Sequence, residues 1–301
     1  MQNFVIKELS GINFDEKVKS MVAFLGSKSD LNLIFIGVGK TAHVAKRLTA
    51  SFVSMNVRCK YLHAADALHG DMGIIGAKDY CILLSYSGET TEVIDLARHL
   101  SNLNCKVLSV TNRSGSSLEA LSDHSIFLNC SNGLPGFEKV PSVSLYAMEI
   151  LFDLFLVDYC KRNNKSMLDF SYNHPSGGIG SWFASPVKKI ARDLSTISIE
   201  FNASLDNISK QMDKLETGIV CISLNQEFVG CLSSGDVRRL GTKHISDIEL
   251  VDLNKTPIQV SEESSIQVAI EAMKQEDINV LFLTNSQSEI SGYVMLGDLI
   301  K

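Results

Sequence analysis

This chain lacks the features that mark membrane-bound or secreted proteins. Its most apolar stretch, 145–160, carries three acidic residues and is too short to span a bilayer. The first eight residues lack the basic and then apolar layout of a signal peptide. We therefore expect a cytoplasmic protein that has no membrane partner.

An excess of basic residues is also missing. Lys and Arg number 28 against 34 for Asp and Glu, which gives a formal net charge of −6 at pH 7, and the basic residues are scattered. A nucleic-acid-binding surface needs a basic patch or stripe, so we expect no nucleic-acid partner. The apolar content of 45% is that of a soluble globular protein.

The cysteines show no pattern of pairing. There are seven of them, an odd number, and no Cys-x-x-Cys motif occurs. Several lie within apolar runs, as buried thiols in a reducing compartment do. We expect free thiols and no metal site, and no motif calls for a cofactor.

What the chain does contain, up to about residue 180, is an alternation of short apolar runs and helical patterns. Predicted strands lie at 31–36, 57–62, 80–84, 106–111 and 125–128. The segment 142–160 is apolar nearly all round, which predicts a buried helix. The alternation predicts βαβ units and therefore an α/β fold, with a mainly parallel sheet covered on both faces. Ligands of such sheets bind at the carboxyl ends of the strands.

An approximate internal repeat follows residue 186. Each copy reads as helix, strand, strand and a Gly-Asp pair, at 235–236 in the first copy and 297–298 in the second. Copies of this length bury little core alone, so the two should pack together. The segment 182–186 is interpreted as a linker in front of them.

The segment Ser85–Glu92 predicts an anion site. It follows a strand and precedes a helix, whose first backbone N–H groups have no internal partner and attract negative charge. Four hydroxyl residues surround a glycine here, whereas an ordinary helix cap needs one. The residues expected to bind a phosphate group are Ser85, Ser87, Gly88 and Thr90.

The turn 37–42 is open to three interpretations. A dinucleotide fingerprint needs an acid after the next strand, where Leu62 and His63 stand. A Walker A loop needs a glycine where Ile34 stands. The third interpretation, which we favour, is a turn that presents Lys40 to the ligand crevice.

Two histidines and a glutamate lie near other strand ends. His69 follows the second strand, and Pro175 restrains the backbone of His174 in a glycine-rich segment that otherwise reads as a flexible linker. Glu89 and Glu92 suit the positive end of a helix dipole, and one of them is expected to reach the crevice.

Taken in order, these motifs resemble those of the arabinose-5-phosphate isomerases, which have a sugar isomerase (SIS) domain followed by a tandem pair of CBS domains. The motifs that carry the resemblance are 37–43, 69–73, 85–92, 174–178 and 235–239. The resemblance implies a three-layer αβα SIS domain at 1–183 and CBS (α+β) units at 186–241 and 242–301. It also implies interconversion of ribulose 5-phosphate and arabinose 5-phosphate through an enediol, toward the sugar Kdo of lipopolysaccharide and capsules.

The resemblance assigns roles to four residues. It implies His174 or Glu92 as the base, His69 as a proton shuttle between oxygens and Lys40 as the group that stabilises negative charge. It further implies a phosphosugar substrate and a homotetramer in which His174 acts across a subunit interface. A nucleotide or nucleotide sugar is the expected ligand of the CBS pair. Its candidate contacts are Asp236 and Asp298.

The chain departs from the family pattern in three places. Gly133 stands where the family has a further active-site glutamate, and Glu138 is out of register with it. A serine, Ser176, interrupts the His-Pro-Gly-Gly motif, and the Met-Thr motif is missing before both CBS units. The alternatives are therefore a non-catalytic, phosphosugar-binding regulatory protein and an isomerase of a different phosphosugar.

Overall fold

The computed structural model describes residues 2–26, 31–201, 205–215, 217–225, 227–240 and 253–299. The chain forms two compact units, Met1–Asn173 and His174–Lys301. The predicted boundary between the CBS units, at 241 and 242, lies outside the described residues.

The first unit alternates strands and helices. Its strands are β1 Asn32–Gly37, β2 Arg58–His63, β3 Tyr80–Leu84, β4 Lys106–Thr111 and β5 His124–Phe127. Its α-helices are α1 Gln2–Ser10, α2 Phe14–Leu25, α3 Lys40–Ser54, α4 Ala64–Ala67, α5 Thr91–Leu100, α6 Ser117–Ala120, α7 Val143–Arg162 and α8 Met167–Tyr172. These bounds confirm the predicted α/β alternation.

The five strands form one parallel sheet in the order β2-β1-β3-β4-β5. The chain therefore moves from β1 to β2 on one side and then crosses back to β3 on the other. At such a switch point the connections after the two central strands leave on opposite faces and open a crevice at the carboxyl edge. That crevice lies between the turns that follow β1 and β3.

Apolar side chains cover both faces of the sheet, which gives three layers. On the face of α3 and α7, the Phe35 ring lies edge-on to Phe52 and to Phe152, with centroids 5.3 and 4.9 Å apart. On the other face, α5 buries Leu96 and Leu100 in a second cluster with β1, β3 and β4. Because both faces of the central strands are covered, these strands must be apolar along their whole length. Such continuous apolar runs are the easiest strands to predict from the sequence.

Helix α7 is only partly as predicted. Its inner side is fully buried, for example at Phe152 and Phe155, but Tyr146 and Val157 on its outer side are each 51% exposed. The helix is apolar nearly all round, as its sequence indicates, but only its inner side is buried, and its outer side forms an exposed apolar stripe. No helix in the described part of the chain is long and apolar enough to cross a membrane.

The second unit repeats the order β-α-β-β-α. After α9 (Gly178–Phe183), the first copy comprises β6 Ser198–Glu200, α10 Leu205–Leu215, β7 Ile219–Leu224, β8 Glu227–Ser233 and α11 Ser234–Leu240. The second comprises β9 Gln259–Ser261, α12 Ile266–Gln275, β10 Val280–Thr284, β11 Ile290–Met295 and α13 Leu296–Leu299. The predicted repeat is confirmed, and a buried cluster that includes Cys221, Cys231, Phe282 and Tyr293 joins the two copies.

The predicted linker at 182–186 is wrong. Phe183 is buried, the Ser185 carbonyl accepts a hydrogen bond from the Ile266 N–H at 3.0 Å, and the Val187 N–H donates to the Ser264 carbonyl at 2.8 Å. The segment is therefore packed on the start of α12. The lead-in continues to Arg192, whose backbone N–H and C=O both pair with Tyr293 of β11, at 2.8 and 3.1 Å.

Glu8 ties α1 to the segment after β5. Its carboxylate accepts the Ser131 N–H at 2.6 Å, and this bond lowers the pKa of Glu8 from its ordinary value of 4.5. The stability it supplies is present above the unfolded pKa and is lost as the pH falls through the lowered folded value.

The Glu8→Gln variant should therefore melt below the wild type at pH 7, by about 2 °C or less for a partly exposed bond. The difference should narrow as the pH falls toward 3, because the wild-type carboxyl then becomes neutral as well. Differential scanning calorimetry at the two pH values measures this, and a difference independent of pH would contradict it.

Candidate functional site

The turn after β1 places Lys40 at the carboxyl edge of the sheet. Gly37 ends the strand, and a Cβ there would lie 2.8 Å from Thr41, so only glycine lets α3 begin this close to the strand. The Thr41 hydroxyl donates to the Val38 carbonyl at 2.9 Å and accepts the Val38 N–H at 3.2 Å, which closes the turn. Lys40 is exposed as the first residue of α3.

The loop after β3 is held together by Ser85. This serine is 2% exposed, and its hydroxyl oxygen accepts the Gly88 N–H at 3.2 Å and shares a hydrogen bond with the Thr90 hydroxyl at 2.9 Å. Ser87, by contrast, is exposed, and its hydroxyl oxygen accepts the Glu89 N–H at 3.1 Å. Of the hydroxyl groups predicted to bind phosphate, Ser85 thus shapes the loop, while Ser87 lies on its surface.

Gly88 is the tightest point of this loop. Its φ angle is +69°, a conformation that favours glycine, and a Cβ would lie 2.4 Å from the Ser116 Cβ. Its carbonyl accepts the Leu118 N–H at 3.1 Å. The loop is therefore pressed against the start of α6, and its backbone has little freedom to move.

Of the two acids predicted for the start of the helix, only Glu92 lies in the first turn of α5, because Glu89 precedes the N-cap Thr90. The Glu89 carboxylate accepts the N–H and the hydroxyl of Ser117, each at 2.7 Å, and these bonds lower the pKa of Glu89. Glu92 lies half-buried in the first turn of α5 and forms no ion pair with any described residue. Of the two acids, Glu92 is therefore the one that is not already bound to a described residue.

Two histidines, His63 and His69, lie at or after the end of β2, at the same edge of the sheet. His69 is exposed in the turn after α4, where its backbone N–H donates to the backbone carbonyl of Asp66 at 2.9 Å. His63, the last residue of β2, pairs with Gly37 of β1. Its Nδ1 is buried without a hydrogen-bond partner, 4.0 Å from Asp66 Oδ1.

The sequence predicts the end of the second strand at Leu62, one residue too early, and marks His63 only as the residue that stands where a dinucleotide site has an acid. The one signal for His63 is its position at a strand end, next to the strand whose turn carries Lys40.

The segment around Gly133 folds back on itself. A Cβ at Gly133 would lie 2.3 Å from the Phe137 carbonyl oxygen and 2.5 Å from that of Val140. The Glu138 carboxylate accepts the Gly136 N–H at 2.8 Å, which lowers the pKa of Glu138. A Cβ at position 133 would thus overlap backbone atoms, so this conformation of the loop requires glycine there.

The Gly133→Ala variant should lose stability because backbone atoms, which cannot swing away, surround the new methyl group. We expect a cost of about 1–3 kcal/mol, or a lowering of Tm by about 2–10 °C. The matched control is Gly136→Ala in the same loop, where φ is +83° but nothing lies within 4 Å. Gly136→Ala adds backbone strain without crowding, so it gives the cost of strain alone. A Gly133→Ala protein with the Tm of the wild type would contradict the crowding.

His174 is the first residue of the second unit. Its carbonyl accepts the Gly177 N–H at 3.3 Å, and a Cβ at Gly180 would lie only 1.9 Å from that carbonyl oxygen. The glycines thus curl around the His174 backbone and lead into α9, instead of forming a flexible linker. The participation of His174 in the crevice of the first unit remains a prediction.

The CBS candidates Asp236 and Asp298 occupy equivalent turns. Each accepts a backbone N–H from three residues earlier, of Ser233 at 2.8 Å and of Met295 at 3.1 Å. The second oxygen pairs with Arg239 in the first copy, whereas in the second copy it accepts Arg192 Nη2 at 2.6 Å. A cavity of about 340 Å³ lies beside the first turn, lined by Gly218, Ser234, Gly235 and Asn279 among others.

Comparison with known proteins matches both parts of the chain. Residues 27–157 match the SIS domain family and residues 245–301 the CBS domain family. Arabinose 5-phosphate isomerase KdsD of Francisella tularensis is 27% identical over 96% of this chain and 89% of its own. Arabinose 5-phosphate isomerase KpsF of Escherichia coli is 25% identical over 89% and 83%. A protein of E. coli CFT073 solved in complex with arabinose 5-phosphate is 26% identical, with a TM-score of 0.54 over 58% of this chain and 93% of its own.

The fold and the matches define a SIS-domain protein that also carries a CBS domain. Within that class, the chain is homologous over most of its length to proteins named arabinose 5-phosphate isomerase. The resemblance seen in the motifs is thereby confirmed.

Proposed function

We propose that this protein is an aldose–ketose isomerase that interconverts ribulose 5-phosphate and arabinose 5-phosphate and so feeds Kdo synthesis. The observation that carries the proposal is the Ser85–Thr90 loop at the β1/β3 switch point, with Lys40 on the opposing turn. The names of the homologues, and the arabinose 5-phosphate bound to the related E. coli structure, support this choice of sugar.

The loop and the start of α5 would bind the phosphate group. Backbone N–H groups of the first turn of a helix point at a bound anion, and the helix dipole favours its charge. Ser87 adds an exposed hydroxyl, and Thr90 lies at the N-cap position. Ser85 and Gly88 fix the backbone around them, which positions the sugar before reaction.

The chemistry needs one proton to move between C1 and C2. A base, Glu92 or His174, removes a proton from C1 of the ketose, and the electron pair forms the enediolate. The Lys40 ammonium stabilises the charge on the oxygen, and His69 moves a proton between the two oxygens. Return of the carbon-bound proton to C2 then gives the aldose.

Incubation of the protein with ribulose 5-phosphate tests this function. We expect arabinose 5-phosphate to appear in the ¹H NMR spectrum, and ribose 5-phosphate not to appear. Turnover of another phosphosugar would identify an isomerase of different specificity. An increase in Tm with phosphosugars but no turnover would favour the non-catalytic binder.

We further propose a cytoplasmic homotetramer in which His174 completes a neighbouring subunit's site. The seven cysteines, all free thiols, suit a reducing compartment. Mixing inactive Lys40→Ala and His174→Ala proteins should then restore part of the activity, because some sites receive both intact residues. Light scattering measures the mass, and mixtures that stay inactive in a confirmed tetramer would contradict a shared site.

For the second unit, we propose that a nucleotide or nucleotide sugar binds in the cavity beside Gly235. Hydroxyl and amide groups line this cavity, and the backbone of Gly218 and Gly235 is accessible there. Asp236 is the candidate contact of the first copy and Asp298 that of the second. Calorimetric titration with AMP, CMP and a CMP-sugar tests binding, with Asp236→Ala and Asp298→Ala to assign the copy.

A further inference from the structure

His63 ends β2 and pairs with Gly37, the residue at which the chain turns from β1 into α3. Side chains alternate along β2, so His63 shares a face with Cys59 and Tyr61, which pack on the α3 side of the sheet. Its direct partner in the parallel register is Gly37. A Cβ on Gly37 would point at Thr41 in the first turn of α3. His63 therefore lies on the face of the sheet that α3 covers, and its strand partner Gly37 begins the turn that carries Lys40.

The two ring nitrogens of His63 have opposite surroundings. Nδ1 is fully buried and has no hydrogen-bond partner, because Asp66 Oδ1 at 4.0 Å is too distant to accept a bond. Nε2 forms no hydrogen bond with the described residues either, but it is not among the buried atoms. The side chain is 28% exposed, and Nε2 is the ring nitrogen that solvent can reach.

This arrangement selects one tautomer. A proton on Nδ1 would be a buried N–H without an acceptor, which native proteins avoid more strictly than an unpaired acceptor. A proton on Nε2 leaves only a lone pair buried and keeps the N–H where solvent or a ligand can reach it. The ring is therefore a neutral hydrogen-bond donor through Nε2.

We propose that His63 is a further catalytic residue, a neutral imidazole whose Nε2–H donates a hydrogen bond to the substrate oxygen that becomes negative in the enediolate. The role rests on the isomerase function proposed above. No proton is transferred in it, since Nε2 already carries its proton and Nδ1 is enclosed. A neutral donor beside the Lys40 ammonium stabilises developing charge without adding a second cation to the crevice.

The tautomer can be read without any assay of activity. The full chain, labelled with ¹⁵N-histidine, contains seven histidines, and His63→Gln removes the resonances that belong to His63. At pH 7.5 the ¹H–¹⁵N correlations should show His63 neutral and protonated at Nε2. Arabinose 5-phosphate should then shift its Nε2 resonance. A proton on Nδ1, a charged ring, or no shift in a protein that turns over would overturn the proposal.

Three substitutions separate a hydrogen bond from proton transfer. The amide nitrogen of His63→Gln reaches the place of Nε2 without a charge, whereas that of His63→Asn reaches only the place of Nδ1. Loss of one such donor costs about 10²-fold in kcat, so we expect that loss for His63→Ala and His63→Asn, but less than about tenfold for His63→Gln. A Gln variant as inactive as Ala, or an Ala variant as active as the wild type, would overturn the assigned role.

Asp66→Asn serves as the control, since Asp66 forms no hydrogen bond with the ring and its side chain is 68% exposed. Its kcat should stay within about twofold of the wild type. Tm values of all variants separate a loss of fold from a loss of catalysis. If the wild type turns over no ribulose 5-phosphate, the isomerase function fails, while the tautomer and its response to phosphosugar still decide whether His63 faces the ligand.

Discussion

The Gly88→Ala variant should lose about 100-fold or more in kcat/KM for ribulose 5-phosphate while remaining folded. The new Cβ would lie 2.4 Å from the Ser116 Cβ, so either the loop or the start of α6 must move. The backbone must also hold a φ of +69° with a side chain present. Since an error of about 1 Å in the position of a bound substrate costs about 10²-fold in rate, displacement of this loop should be seen chiefly in catalysis.

The matched control for this experiment is Gly26→Ala. Gly26 has a φ of +80°, but nothing lies within 4 Å of the position of its Cβ. It ends α2, before β1 begins, and so lies away from the carboxyl edge. The control should cost about 1–3 kcal/mol of stability, because its backbone at φ +80° and ψ 174° is in a region that favours glycine, and it should leave kcat/KM unchanged. If Gly88→Ala lost only stability as well, the loop would not be the phosphate site.

The Glu92→Gln variant should lower kcat by about 10²–10⁴-fold, the contribution of a positioned general base, with a much smaller change in KM. A second carboxylate, that of Glu89, lies near the same helix start, but it already accepts two hydrogen bonds from Ser117. Glu89→Gln is therefore the control, and it should retain kcat within a few-fold. Steady-state kinetics with ribulose 5-phosphate measures both.

The pair of glutamates separates the candidate bases. A Glu92→Gln protein with wild-type kcat would leave His174 as the base. A Glu89→Gln protein that lost as much as Glu92→Gln would show that the position of α6, rather than a particular carboxylate, controls the rate. The Ser117 contact makes that second outcome testable, because Ser117→Ala removes the hydroxyl bond and leaves both carboxylates in place.

Most of the parallel sheet could be predicted, and the reason is burial. Central strands such as β3 are covered on both faces, so they read as continuous apolar runs with clear ends. The three-residue strands β6 and β9 carry no such run and were missed. The sequence predicts a linker at 182–186, because the residues that form hydrogen bonds with this part of the chain, at 264–266, lie far along the sequence.

The position of the candidate site could be predicted from the sequence, but the hydrogen bonds of its residues could not. Strand ends located Lys40, His69 and the anion loop, since parallel strands bring their carboxyl ends to one edge. Some hydroxyl and carboxylate groups are already hydrogen-bonded within the protein, and which ones depends on contacts with residues far away in the sequence. The hydrogen bond from Ser117 already occupies the carboxylate of Glu89. That Nδ1 of His63 is buried without a partner is known only once the strands are paired.

The pairing of Arg192 with Tyr293 makes the CBS repeats interleaved rather than consecutive. Arg192 lies ahead of the first copy, yet its backbone pairs alongside β11 of the second, and its guanidinium donates a hydrogen bond to Asp298 there. A cut in the chain between the copies would therefore not release two self-sufficient modules. The second fragment would lack the backbone partner of β11 and the cation that pairs with Asp298, so the two copies form one unit with the lead-in that precedes them.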